Sequence, residues 1–424
     1  MKYRELTDII LENFSSHEIV FLLGTRQSGK TTLSKILAQK SSFSDKQTYF
    51  FDFEDKQLRD AFNVATLASL PTLLKLEGVN IENKSLLLFD EIQHLNDPAN
   101  LLKLLHDHFP TLKIIATGSS SLQIKEKFSD SLSGRKNVYK VEPLSFNEFL
   151  LFKEENKLQE LRQMFKSSEQ KNEIISLVKV YEQQFLQLFE EYLIYGGYPE
   201  VVLSSSKEKK ILKLDSIATS YIQKDIREIA RIDNIEAYNQ LLRYLAINTG
   251  AQFNLASAKE AIKISSVTLS KYLMLLKETY IVDELAPFFT NKNREISKSK
   301  KIFYKDLGVR NLQLRNFNEL SIRTDVGALY ENYIFNLLEH QKSVVKQNFF
   351  YRTQSKSEID FIINTEEKYS LIEVKSGSFS NVPKAMFEFE KKYDGKLNVE
   401  EKIVINRSNL EYKNGVLFLP AYLL

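Results

Sequence analysis

Between Ile19 and Leu33 the chain reads I-V-F-L-L-G-T-R-Q-S-G-K-T-T-L, and this stretch restricts the fold more than any other. An apolar run suited to a buried strand stops at Gly24, and a helix-compatible segment begins after Gly29. Gly24-x-x-x-x-Gly29-Lys30-Thr31 meets every specified position of the phosphate-loop pattern G-x-x-x-x-G-K-S/T. The spacing has a physical basis. Glycines let backbone N–H groups turn inward around phosphate oxygens, and a helix starting near Lys30 aims the positive end of its dipole at them. Gly24, Thr25, Arg26, Gln27, Ser28, Gly29, Lys30, Thr31 and Thr32 are therefore the expected cradle for ATP. Lys30 is expected to reach the β- and γ-phosphates, and the Thr31 hydroxyl to bind Mg²⁺.

Such a loop needs partners. Leu86-Leu87-Leu88-Phe89-Asp90-Glu91 is an apolar strand ending in two acids. Asp90 is expected in the Mg²⁺ shell, and Glu91 as the general base that polarises the attacking water. The next strand ends in Thr117-Gly118-Ser119, placing Ser119 where a γ-phosphate sensor would sit. Arg135, in a polar loop, is either a surface arginine or a residue that neutralises charge on a neighbouring subunit's γ-phosphate. Asp52 and Glu54, after another strand, read as solvated loop acids.

Four apolar strands, at 19–23, 47–53, 85–89 and 112–116, alternate with helical patterns at 33–40, 61–76 and 101–109. That alternation implies a parallel sheet covered on both faces. An amphipathic helix is expected within residues 1–14. From Glu142 the texture turns helical, over 144–152 and 159–193, and then breaks at Tyr195-Gly196-Gly197-Tyr198-Pro199.

A third texture begins near Tyr238. Two helices, a turn at Lys263-Ile264, a helix over Ser265–Thr279 and two strands at 280–287 and 301–304 follow the order of a winged helix-turn-helix. Its outward Thr268 and Lys271 are candidate groove contacts. Lys292, Arg294, Lys298, Lys300 and Lys301 are candidate phosphate contacts from the tip. A solvated loop and a protein-binding module are the competing readings.

The last region carries Tyr351-Arg352, then Glu358-Ile359-Asp360-Phe361, then Ile372-Glu373-Val374-Lys375. Alternation puts Glu373 and Lys375 on one strand face. Glu331, Glu358, Asp360, Glu373 and Lys375 form the expected cluster: carboxylates to hold a second divalent metal, and a lysine to position a water for phosphodiester hydrolysis. A plain ion pair from Arg352 to Glu358 or Asp360 is the structural alternative.

Composition narrows the class. The absence of cysteine excludes disulfides and cysteine-based zinc sites and suits a reducing cytoplasm. A net charge of +3 confines any nucleic-acid contact to a local patch. No apolar run approaches a membrane span, and residues 1–20 lack the apolar centre of a signal peptide, so the expectation is a cytoplasmic protein with no membrane partner.

The G-T-R-Q-S-G-K-T-T loop, the acids of L-F-D-E, the T-G-S tip, the S-G-R loop and Val141-Glu142-Pro143-Leu144-Ser145-Phe146-Asn147-Glu148-Phe149 resemble an AAA+-type ATPase. More narrowly, the chain resembles a prokaryotic family of such ATPases with a C-terminal domain of unknown function. A G-G-Y-P segment like Gly196–Pro199 occurs in that family, and the Arg352–Lys375 region is similar to the PD-(D/E)xK nuclease superfamily. The resemblance implies ring-type oligomers with Arg135 acting in trans. The expected fold class is α/β multidomain. A P-loop NTPase parallel sheet spans 1–140, a helical lid or connecting domain 141–235, a winged helix-turn-helix 236–312 and a restriction-endonuclease-like α/β domain 313–424. The expected function is ATP binding and hydrolysis that gates a DNA-binding, nuclease-like C-terminal region. The rival is a nucleotide-dependent switch whose C-terminal region is a binding platform without turnover.

Overall fold

The computed structural model describes residues 2–119, 132–167, 171–220, 234–291, 295, 298–355 and 357–424. Its amino-terminal layer is a five-stranded parallel sheet. The strands are β1 (Ile19–Gly24), β2 (Thr48–Asp52), β3 (Ser85–Asp90), β4 (Leu112–Ser119) and β5 (Lys136–Lys140), in the order β2-β3-β4-β1-β5. Every residue of β1, β3 and β4 is buried, as befits strands covered on both faces. Helices α1 (Leu6–Glu12), α2 (Lys30–Lys40), α3 (Lys56–Asn63), α4 (Leu70–Leu76) and α5 (Pro98–His108) accompany it. Asp97 accepts the N–H of Asn100 at 3.1 Å and Pro98 occupies the first turn, which fixes where α5 begins. Because all five strands run the same way, Gly24, Asp90 and Ser119 arrive at one carboxyl edge.

Two local expectations change. The helical pattern expected over 61–76 is two helices, interrupted at 64–69. Strand β5 was not expected: K-N-V-Y-K is short and polar, and it is held as an edge strand by pairing with β1 from Ile19↔Lys136 to Leu23↔Lys140.

The helical region contains α6 (Phe146–Phe152), α7 (Asn156–Ser167), α8 (Lys171–Val180), α9 (Glu182–Tyr195), α10 (Pro199–Val202) and α11 (Lys207–Ser220). Ser145 and Glu148 form a reciprocal capping box that starts α6. Next come α12 (Ile235–Ile247), α13 (Leu255–Ile262) and α14 (Ser266–Glu278), with Ser265 accepting the N–H of Thr268 at 3.1 Å to cap α14. Strands β6 (Val282–Pro287) and β7 (Lys301–Tyr304) then pair antiparallel.

After α15 (Leu307–Leu314) and α16 (Val326–His340) come β8 (Lys346–Arg352), β9 (Glu358–Thr365), β10 (Lys368–Val374), α17 (Lys384–Lys392), β11 (Asn398–Asn406), β12 (Glu411–Lys413) and β13 (Val416–Pro420). The expected boundary at 312/313 is not a break in the sheet. Ala286 and Pro287 of β6 pair parallel with Phe349 and Phe350 of β8, giving one eight-stranded sheet, β12-β13-β11-β10-β9-β8-β6-β7. The helical region, expected as a lid or connecting domain, shares its core with the C-terminal layer. Phe146, Phe149, Phe185, Phe189 and Leu193 share a core with Tyr330, Tyr333, Phe361, Ile372 and Tyr422. The apolar faces of α6 and α9 need a cover, and the C-terminal layer supplies it. Among the described residues no helix is long and apolar enough to cross a membrane.

Candidate nucleotide-binding site

The loop leaving β1 has the backbone that phosphate binding needs. Gly29 sits at φ +96°, and a Cβ on Gly24 would stand 2.1 Å from the carbonyl oxygen of Val141, so both glycines are obligatory for the shape. Lys30, 4% exposed, donates to the carbonyls of Gly24 at 3.2 Å and Thr25 at 2.9 Å, so its ammonium lies within the turn of the loop. The Thr31 hydroxyl donates to Asp90 Oδ2 at 2.7 Å, and the Thr117 hydroxyl donates to Asp90 Oδ1. Burial pushes the Asp90 carboxyl up, against the lowering effect of these two hydroxyls, and Glu91 and Asp52 push it further.

Glu91 has φ 51°, an uncommon conformation for a side-chain-bearing residue, and its N–H donates to Thr117 Oγ1 at 3.1 Å. Its carboxylate accepts from the Gln93 amide, whose Oε1 accepts the N–H of Ser119 at 3.2 Å. The Ser119 hydroxyl is buried and has no hydrogen-bond partner among the described residues. A buried orphan hydroxyl at the strand tip fits a phosphate ligand, and Thr31 beside Asp90 fits a hard divalent cation. Thr25 and Ser28 are buried, Arg26 is half-buried, and Gln27 and Thr32 are exposed.

Arg135 lies elsewhere. Its carbonyl accepts the N–H of Ile19 at 2.8 Å, at the amino end of β1, away from the loop. Its guanidinium makes a two-point contact with Asp107, at 2.8 and 3.1 Å. Asp52 accepts the N–H of Glu54 at 2.9 Å and faces Asp90 in register.

Residues distant in sequence brace the loop. Arg4, 6% exposed, donates to Glu148 at 2.8 Å, to the Ser28 carbonyl at 2.9 Å and to the Glu142 carbonyl at 2.8 Å. Tyr198 donates to Thr25 Oγ1 at 3.2 Å. The preceding glycines are hemmed in: a Cβ on Gly196 (φ +75°) would meet the Asp306 carboxylate at 2.4 Å, and one on Gly197 the Leu144 carbonyl at 2.3 Å. Asp306 accepts the N–H groups of Gly197 at 2.8 Å and Val309 at 2.9 Å. Glu142 pairs with Lys305 at 2.7 Å and His340 at 3.0 Å. Burial pushes the Glu142 carboxyl up, but these two cations outweigh it and hold it well below the usual range. Nothing local in the sequence marks Arg4, Glu142 or Lys305, whose partners lie on other elements.

The C-terminal cluster does assemble, with one intruder. Lys301, expected at an exposed tip, is 2% exposed and pairs with Glu331 at 2.8 Å and Glu358 at 2.7 Å. This corrects its assignment as a nucleic-acid contact: β7 carries it into the sheet, where acids thirty and fifty-seven positions onward neutralise it. Asp360 accepts the N–H of Val374 at 2.8 Å, and Glu373 pairs with Lys375 at 2.6 Å. Glu358 also lies 3.6 Å from Arg352. Burial, with Asp360 nearby, pushes Glu331 up to about 8 and Glu373 to about 7. Among the described residues no group of three acidic, histidine or cysteine side chains is arranged to hold a metal ion, so the cluster as it stands does not fit the expected second divalent metal.

Of the remaining candidate contacts, Lys271 and Lys298 are exposed, and Thr268 is half-buried with its N–H on Ser265. Lys300 is paired with Glu284, which also holds Lys277 at 2.8 Å. Lys292 and Arg294 lie outside the described residues.

Residues 16–150 match the family described as AAA domain. Residues 186–320 match a domain of unknown function, DUF8612, and 326–424 another, DUF4143. The chain is 31% identical to the uncharacterized protein MJ1544 of Methanocaldococcus jannaschii, over 84% of this chain and 74% of that one. It is 22% identical to the uncharacterized protein Rv2008c of Mycobacterium tuberculosis, over 87% and 72%. Among solved structures, the replication initiator DnaA bound to AMPPCP and single-stranded DNA aligns at 18% identity and TM-score 0.26, over 65% of this chain and 86% of that one. The STAND-class signal transduction ATPase PH0952 of Pyrococcus horikoshii aligns at 14% and 0.29, over 81% and 46%. Both are distant likenesses.

Proposed function

The chain belongs to the same family as the MJ1544 protein and carries an AAA domain, and from that premise we propose that it binds and hydrolyses ATP with Mg²⁺. Its nucleotide state would then gate what the C-terminal region engages, with DNA the favoured partner. The observation that carries the ATPase reading is the convergence of Lys30, Thr31, Asp90, Thr117 and Glu91 at one sheet edge. Mg²⁺, when bound, offsets the charge of the β- and γ-phosphate oxygens. Lys30 would exchange loop carbonyls for phosphate oxygens, and Thr31 with Asp90 would hold the cation. Glu91 takes a proton from the attacking water, and the Ser119 hydroxyl donates to the γ-phosphate. Arg135, occupied by Asp107 within its own chain, is assigned to a neighbouring subunit's site in an oligomer.

Gating is supported by the contacts leading away from the loop. Thr25 touches Tyr198, Gly197 touches Asp306, and Glu142 holds both Lys305 and His340. DNA contact rests on the order of α12, α13, α14, β6 and β7, which is that of a winged helix, and on exposed Lys271 and Lys298. The buried Lys301 favours the second reading of the C-terminal sheet, a binding platform without turnover.

The test is ATP hydrolysis by the wild type beside Lys30→Ala, with DNA affinity measured in the presence and absence of ATP. Hydrolysis that survives Lys30→Ala removes the phosphate-loop assignment. A DNA affinity indifferent to nucleotide removes the gating.

A further inference from the structure

We propose that Lys301 is the resident cation of the C-terminal carboxylate cluster and excludes divalent metal ions from it. The inference is independent of ATP hydrolysis.

Glu331 on α16 and Glu373 on β10 both lie near Asp360 and Glu358 of β9, close enough that, beyond burial, each of these two acids pushes the Glu331 and Glu373 carboxyls up. Lys301 enters from β7, at the end of the same sheet, and donates to one oxygen each of Glu331 and Glu358. It is held on other sides too. Its ammonium stands 5.3 Å from the Phe350 ring centroid, and a Cβ on Gly250, behind Glu331, would meet Glu331 Oε2 at 2.8 Å. Burial alone lowers a lysine's pKa, but Glu331, Asp360 and Glu358 outweigh it, so Lys301 stays charged. Among the described residues, Glu373 Oε2 is buried and has no hydrogen-bond partner. The donor set thus holds a spare acceptor, while an ammonium bridges two of its members, Glu331 and Glu358.

A hard cation and an ammonium compete for the same oxygens, and the covalently tethered one has no entropy of capture to offset. Removing it leaves Glu373 with Lys375 and Glu358 with Arg352, and takes from Glu331 the cation it pairs with. Lys301→Met keeps the length and apolar stem of the side chain but deletes the charge.

The experiment is Mn²⁺ binding to nucleotide-free protein, followed by electron paramagnetic resonance. Lys301→Met is expected to bind Mn²⁺ more than about tenfold more tightly than the wild type. Asp360→Asn in that background is expected to abolish the gain. Because uncompensated carboxylates can unfold the variant, Lys301→Met/Glu358→Gln is run in parallel. It sheds one charge and keeps Glu331, Asp360 and Glu373, and Mn²⁺ is expected to raise its Tm while leaving the wild type unmoved. Tight, Asp360-dependent Mn²⁺ binding by the wild type overturns the proposal. So does a folded double variant that binds no more Mn²⁺ than the wild type.

Discussion

The hydroxyl of Tyr198 donates to Oγ1 of Thr25 at 3.2 Å, joining the phosphate loop to the Gly-Gly-Tyr-Pro turn 173 positions later. Both residues are buried, so the bond is made where water does not compete. Tyr198→Phe should lower stability by about 1 kcal/mol in urea unfolding. Adding Thr25→Val to it should cost much less than the sum of the single changes. Strict additivity would mean that the two side chains do not communicate.

Glu91 is positioned by its own backbone N–H on Thr117 and by the Gln93 amide on its carboxylate. Glu91→Gln should leave ATP affinity near the wild-type level and slow turnover by about 10²-fold or more. Equilibrium binding and single-turnover hydrolysis separate the two effects. A wild-type rate would take Glu91 out of the base role.

Arg135 cannot serve its own chain's loop from the amino end of the sheet. Arg135→Ala and Lys30→Ala should each hydrolyse ATP poorly alone. Mixed together, they should recover activity, because one supplies an intact loop and the other an intact arginine. Undiminished hydrolysis by Arg135→Ala would leave the residue as the partner of Asp107 and nothing more.

Asp306 is 5% exposed, and burial raises its carboxyl from 3.8 to about 6, more than the N–H groups of Gly197, Val309 and Gly308 lower it. The folded state therefore keeps its proton to a higher pH than the unfolded state does. Between about pH 4 and about pH 6 the folded state binds more protons, so this group makes stability fall as pH rises, by about 3 kcal/mol at most, and then level off. Asp306→Asn should flatten that slope in urea unfolding across the same range. It should also lower stability, because an amide cannot accept at both of its terminal atoms. An identical slope in the two proteins would place the titration elsewhere.

The phosphate loop and its acids were legible because each is a local pattern: an apolar strand, then the chemistry, then the next helix. Asp360, Glu373 and Lys375 also form a local pattern, two adjacent strands, and Glu373 does pair with Lys375. The sequence points Lys301 outward because its neighbours, Lys298 and Lys300, advertise an exposed basic tip, whereas its acids stand on α16 and β9. β5 has no sequence signature because pairing with β1, not hydrophobic pattern, makes it a strand. The join of β6 to β8 is only two residue pairs long and leaves no trace in either segment.

The shared core has a consequence for how the chain is made. Phe146 and Phe185 sit in the same cluster as Ala421, Tyr422 and Leu423, with Phe185 and Tyr422 stacked at 5.0 Å. On the ribosome, the parallel sheet at 19–140 has all its strands early and is free to fold as it emerges. The helices from Phe146 to Tyr195 must instead wait, apolar faces uncovered, until more than two hundred further residues have been added. During that interval they are a natural client for a chaperone, and a ribosome that stalls before Ala421 releases a chain whose first layer is finished and whose second has no lid to its core.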